Sequence, residues 1–270
     1  SFGMPTEPTG FAHPGPSRAR ASDATSADEV SGVRRAIAAV RSVVVYVVLS
    51  LYVLTVGFVG LAVAILFRWP GILYWVGLFG VQLALAITGI RYRVVGREHV
   101  DRSRAMIYCV NHASNVEPPI LYAALRSLFP RLRILYKAEM RKLPVLGRGF
   151  DIVGFVPIER GNREQSRQAI EQAANALRGG NSFLIFPEGT RSRTGDLLPF
   201  KKGGFILALK ACAPMVPVAI QGAKAAMRKG SPIVYPVVVS IRIGAPVETG
   251  HLDLADREAL IAEVRARIEE

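Results

Sequence analysis

The sequence is poor in cysteine, with two among 270 residues, Cys109 and Cys212. That excludes a disulfide-stapled scaffold and a four-cysteine zinc site. The apolar neighbours of both suggest inert, buried thiols in a reducing compartment. Histidine is scarce too: His13, His99, His112 and His251 are scattered without ligand spacing, and no metal is expected. Acidic residues are few, 21 against 34 Lys+Arg, for a formal net charge of +13. No Gly-x-Ser-x-Gly elbow is present, so a serine acyl-enzyme is not expected. Helix-turn-helix, zinc and aromatic RNA-binding signatures are absent, which sets nucleic acid aside despite the charge.

Charge is missing altogether from two long stretches. Val43–Phe67 gives 25 uncharged residues and Ile72–Ile90 gives 19, separated by Arg68-Trp69-Pro70-Gly71. Half of the chain is hydrophobic and the mean hydropathy is +0.28. Core helices of soluble domains rarely lack a polar face for so long, so the expectation is a membrane-anchoring helical hairpin over residues 34–90. Arg34, Arg35 and Arg41 precede it, Arg91, Arg93 and Arg97 follow it, and Arg68 alone lies in the turn. That asymmetry puts both flanks on the cytoplasmic side of the cell membrane. The hairpin either spans the bilayer or lies in one leaflet. Residues 1–33 carry Pro5, Pro8, Pro14 and Pro16 with no helical or strand period, and are expected to form a flexible leader, with Ser1-Phe2-Gly3 as a tag remnant.

Residues 91–270 hold 28 Lys+Arg against 17 Asp+Glu, a net of +11, and so suit an anionic partner. Short β-branched runs alternate with helical ones. Strands are expected at Ile90–Val95, Met106–Val110, Arg133–Tyr136, Gly154–Ile158, Phe183–Phe186, Val216–Ile220 and Ile233–Ile243. Helices are expected at Glu117–Leu128, Arg163–Leu177, Gly204–Ala211 and Ala255–Ile268. The fold class is therefore α/β, a mainly parallel mixed sheet flanked by helices, with the N-terminal two-helix hairpin added. Active sites in such sheets gather at the carboxyl ends of strands.

Four segments sit at such ends. In Asn111-His112-Ala113-Ser114-Asn115-Val116-Glu117-Pro118-Pro119, the histidine follows a strand and Pro118 favours a helix start at Glu117. A turn between them can return the carboxylate to the imidazole, fixing its tautomer and raising the basicity of the other ring nitrogen. Phe186-Pro187-Glu188-Gly189-Thr190-Arg191-Ser192 is a glycine- and hydroxyl-rich turn bearing an arginine, suited to a phosphate. Gly154–Gly161 ends another strand with Arg160. Val216–Ile220 reads as an apolar core strand lining the site. Lys137 is a further strand-end cation.

In this order the four segments resemble the glycerolipid acyltransferase family, which includes 1-acylglycerol-3-phosphate acyltransferases. The resemblance covers roughly Val95 to Ile220, and the Phe186–Ser192 match is specific. The family acid is usually Asp, where this chain has Glu117. The resemblance implies that His112 deprotonates the hydroxyl of a glycerol phosphate-type acceptor, oriented by Glu117. The alkoxide then attacks the thioester of acyl-CoA or acyl-carrier protein, a co-substrate, with no cofactor. It also implies an acceptor-phosphate set of Lys137, Arg160, Glu188, Gly189, Thr190 and Arg191. The favoured acceptor is 1-acylglycerol 3-phosphate, giving phosphatidic acid. Glycerol 3-phosphate or another lysophospholipid is the alternative. A membrane-anchored module that binds anionic lipids without catalysis is the reading from another class.

Overall fold

The computed structural model describes residues 18–159 and 161–270, with side chains from Gly32 onward. The first helix, α1 (Arg18–Tyr52), begins inside the stretch expected as a leader, where Ala19, Ala21, Ala24 and Ala27 supply good helix formers. A π-turn at Val53–Gly57 joins it to α2 (Phe58–Leu66). Gly32–Leu66 is the one described segment long and apolar enough to cross a membrane, and little of its most apolar part is buried.

The hairpin's second arm is the shorter one, and it exposes Trp75 and Phe79. After the turn at Arg68, α3 (Ile72–Thr88) has 17 residues, about 25 Å, against roughly 30 Å of bilayer hydrocarbon. It also belongs to the globular core. Tyr74 and Leu78 are buried with residues of the sheet domain. The Tyr74 hydroxyl donates to the Leu132 carbonyl at 2.7 Å, and the Tyr122 hydroxyl donates to the Tyr74 carbonyl at 2.9 Å.

The sheet has seven strands, and each lies within or overlaps an expected run. They are β1 (Arg91–Val95), β2 (Ile107–Val110), β3 (Leu132–Lys137), β4 (Val156–Ile158), β5 (Ser182–Ile185), β6 (Met215–Gln221) and β7 (Val238–Ile243). Their spatial order is β1-β7-β6-β2-β5-β3-β4. Every neighbouring pair is parallel except β6 with β7. Strand β7 starts later than expected. Pro232 and Pro236 lack ladder donors, and residues 232–235 are spoken for. The Ser42 hydroxyl accepts from Val234 N–H at 2.8 Å, and Tyr46 donates to the Pro232 carbonyl at 2.6 Å.

Helices cover both faces. On one lie α3 and α4 (Glu117–Ala124), over Tyr108, Leu184 and Val216. On the other lie α6 (Arg163–Arg178), α7 (Gly203–Ala211) and α9 (Arg257–Glu269), over Ile107, Phe183 and Met215. The central strands β2 and β5 are buried along their whole length, as a doubly covered parallel sheet requires. The expected helix Glu117–Leu128 is shorter: α4 stops at Ala124, and a single 3₁₀ turn follows at Arg126–Leu128. Helix α5 (Pro144–Ile152) was not expected, because Gly147 and Gly149 interrupt its pattern. A four-residue helix, α8 (Ala223–Ala226), follows β6. Cys109 is buried, and burial pushes its thiol well above the usual range. Cys212 departs from expectation: it ends α7 in the left-handed region at φ 48° and is exposed.

Candidate active site

His112 leaves the carboxyl end of β2, and four contacts fix it. Its Nδ1–H donates to Glu117 Oε2 at 2.7 Å. Glu117 opens α4, with Pro118 next to it, and is 1% exposed. From there its carboxylate also accepts the Ala113 N–H, at 3.1 and 2.9 Å to its two oxygens. The helix N-terminus adds a favourable dipole for the negative charge. The backbone of His112 is held from both sides. Its N–H donates to Glu188 Oε1 at 2.6 Å, and its carbonyl accepts the Ser192 N–H at 2.8 Å. Phe186 lies against the imidazole, with ring centroids 4.3 Å apart. Asn111 ties the end of β2 to β6 by donating to the Ile220 carbonyl at 3.0 Å and accepting its N–H at 2.8 Å.

With Nδ1–H committed to a buried carboxylate, Nε2 is the nitrogen left to take a proton. That is the arrangement of an oriented general base.

Glu188 departs from the phosphate-binding set. It is 3% exposed, and its second oxygen accepts the Leu198 N–H at 3.0 Å. Burial pushes its carboxyl above the ordinary range, and the two N–H bonds pull the other way. A carboxylate would repel a phosphate. Here it braces the histidine loop instead, and sequence offered no sign of which way it turns.

A cavity of about 1160 Å³ opens beside His112. It exceeds the roughly 300–1,000 Å³ of an ordinary small-molecule pocket. Its walls are mainly apolar and include Tyr52 and Val76 from the hairpin, with Tyr122 and Phe150 from the domain. Lys137, Gly189, Thr190 and Arg191 line it as well. Five of the eight expected site residues, His112 with these four, therefore meet in one cavity, and Glu117 stands behind the histidine. Lys137 is tied to Glu139 at 3.0 Å. Arg160 lies outside the described residues. Sequence reasoning missed Lys201 and Lys229, which also line the cavity. The one available signal was the Pro199-Phe200-Lys201-Lys202 run ahead of a helix. A smaller cavity of about 440 Å³ reaches His112 from the side of Glu117 and Glu188. Asp196, Glu269 and Lys224 line it too, so carboxylates outnumber cations there, a setting less suited to phosphate. Among the described residues, no three His, Cys, Asp or Glu side chains gather as a metal site.

Comparison with known proteins shows the family and the fold. The family model described as Acyltransferase matches residues 91–221. A 1-acyl-sn-glycerol-3-phosphate acyltransferase of Limnanthes douglasii is 35% identical over 211 residues, covering 76% of this chain and 73% of that protein. The chain belongs to the acyltransferase family. A bacterial relative with the same printed name, from Borreliella burgdorferi, is 30% identical over 140 residues, covering 52% of this chain and 55% of its own. Among solved structures, the LPA acyltransferase PlsC of Thermotoga maritima superposes with a TM-score of 0.76 at 24% identity. That match covers 87% of this acyltransferase and 95% of the neighbour, and it establishes the shared fold.

Proposed function

We propose that this acyltransferase moves a fatty acyl group from acyl-CoA or acyl-carrier protein to the free hydroxyl of 1-acylglycerol 3-phosphate, forming phosphatidic acid. One observation carries the reading: the histidine of an oriented His112–Glu117 pair, 2.7 Å apart, lines a large, mainly apolar cavity together with Lys137, Arg191, Lys201 and Lys229. An acceptor with a fatty chain, a hydroxyl and a phosphate presents those three features in that order.

His112 Nε2 removes the acceptor hydroxyl proton as the oxygen attacks the thioester carbonyl. Glu117 stabilises the imidazolium that forms. The tetrahedral adduct then collapses. The new C–O ester bond stays, the C–S bond breaks, and the thiolate takes the proton back from Nε2. Arg191 holds the phosphate through its planar fork, and Lys137 adds positive charge nearby. Membrane attachment through Gly32–Leu66 supports access to a lipid acceptor. The flanking arginines support a cytoplasmic catalytic face.

The test is thiol release from one acyl-CoA over a panel of acceptors: 1-acylglycerol 3-phosphate, glycerol 3-phosphate, and lysophospholipids with larger head groups. Product analysis should resolve the acylated position. Thiol release with 1-acylglycerol 3-phosphate is the expected result. Binding of anionic lipid without thiol release from any acceptor would replace catalysis with the binding-module reading.

A further inference from the structure

Lys137, Arg191, Lys201 and Lys229 all line the large cavity. They differ in how their charge is balanced. Lys137 is paired with Glu139, whereas no described ion pair involves Arg191, Lys201 or Lys229. The adjacent pair Lys201-Lys202 divides. Lys202 Nζ turns away to Glu258 on α9, at 2.9 Å. Lys201 lies across the Gly189 turn. A Cβ placed on Gly189 would meet its Cδ and Cε at 2.8 Å and its Nζ at 2.9 Å. Gly189 has φ 65°, so the turn needs glycine for its backbone and leaves that space for the lysine stem. Lys229 arrives from the loop after α8, and its Nζ donates to the Arg191 carbonyl at 2.9 Å. Two lysines from separate loops thus end on one three-residue turn, beside an arginine.

We propose that Lys201 and Lys229 complete a phosphate-monoester site with Arg191, and that they make this enzyme discriminate monoester from diester head groups. The proposal rests on the acyltransferase reading above and adds the residues that select the acceptor. A phosphate monoester carries about −1.5 to −2 charge at pH 7 and three terminal oxygens. A diester carries one negative charge and two terminal oxygens. The guanidinium fork of Arg191 engages two oxygens. The third is what the ammonium groups take, and a diester does not have it. Lys229 spends one N–H on Arg191 and keeps two for the ligand. Three cations that line one cavity and have no carboxylate partner among the described residues suit a dianion better than a monoanion.

The experiment uses the full chain in detergent with one acyl-CoA. It compares kcat/KM for 1-acylglycerol 3-phosphate with that for 1-acyl-glycerophosphoglycerol, a diester. Lys201→Gln and Lys229→Gln should each lower the monoester value about tenfold and the diester value by less, so the ratio falls. Lys202→Gln, facing Glu258, should keep the parent ratio. Parent ratios in both cavity variants would overturn the proposal. So would equal losses on both acceptors, which mark the lysines as mere supports of the turn. If the parent takes no diester, inhibition by glycerol 3-phosphate gives the same answer, and an unchanged inhibition constant in both variants overturns it. A parent that releases no thiol with any acceptor defeats the acyltransferase reading itself. A working parent with unaltered variants defeats only the lysine assignment.

Discussion

Glu188→Gln isolates the brace beneath the catalytic histidine. In the parent, one carboxylate receives two backbone donors, His112 N–H at 2.6 Å and Leu198 N–H at 3.0 Å. An amide of the same shape has one oxygen, so one of the two N–H groups must face an NH₂ donor. Losing a bond to a carboxylate removes about 1.5–3 kcal/mol, and a buried orphan donor adds about 1–3 kcal/mol. Against this, the neutral amide escapes the desolvation that raises the Glu188 carboxyl. A net loss of about 1–3 kcal/mol follows, or about 2–12 °C in Tm for a chain of this size. Displacing the His112 peptide also misplaces Nε2, and a 1 Å error in such a group costs about 10²-fold. The pH dependence has a definite sign. Because the folded value lies above the ordinary 4.5, the protonated form is the one favoured by folding. That contribution is fully present below 4.5 and is lost as pH rises through the raised folded value. The Tm difference between parent and Glu188→Gln should therefore shrink over that interval. Thermal unfolding in detergent and steady-state thiol release measure both effects. If Glu188→Gln unfolds at the parent temperature and turns over normally, Glu188 does not hold His112.

Other perturbations address the remaining parts of the site. His112→Ala should lower turnover by about 10²–10⁴-fold with folding intact, since no other His, Asp or Glu among the described residues lines the large cavity; an active variant removes the histidine from the chemistry. Glu117→Gln should approach the same loss, and the double variant should be little worse than either single one, because the pair acts as a unit. Arg191→Ala should reduce kcat/KM for the phosphorylated acceptor by about 10–150-fold, with Arg191→Lys recovering only part, since an ammonium lacks the fork; unchanged kinetics in both would clear Arg191 from the phosphate site. Removing residues 1–90 should leave an unstable, aggregating product, because it strips Tyr74, Leu78 and Ile90 from the core at about 1.5–3 kcal/mol each; a soluble product with parent-like cooperative unfolding would show the hairpin to be separable.

The fold was legible because its sheet is buried on both faces. Runs such as Met106–Val110 and Phe183–Phe186 are continuously apolar and flanked by polar turns, so all seven strands could be read. The His112–Glu117 pair was legible because its geometry is local, a turn of five residues closed by Pro118 at a helix start. What stayed hidden depends on distant partners. Uncharged sequence looks alike in a bilayer and in a protein core, so the sequence did not show that one face of α3 packs Tyr74 and Leu78 into the domain while Trp75 and Phe79 stay exposed. Helix α5 was masked by glycines, one of which is tight: a Cβ on Gly147 would sit 2.2 Å from the Arg141 carbonyl oxygen. The roles of Glu188, Lys201 and Lys229 follow from which way their side chains turn at the Phe186–Ser192 loop, and no local pattern encodes that.

The extra methylene of Glu117 has a geometric use. Its carboxylate must reach Nδ1 of His112 and the Ala113 N–H at once, from the first turn of α4. The backbone there is fixed independently, since Pro118 sets the helix start and the Ser114 carbonyl accepts the Glu117 N–H at 3.4 Å. A shorter acid at the same Cα could keep both bonds only if α4 slid toward β2, and α4 is not free to slide. Ile120 and Leu121 are buried to within 1% in the core that also holds Tyr74 and Leu128. Tyr122 is pinned to the Tyr74 carbonyl on α3. The length of the acid, the packing of α4 and the docking of the hairpin arm α3 are thus one constraint. The same helices that wall the apolar cavity set the reach required of Glu117, so the cavity wall and the placement of His112 share a single support.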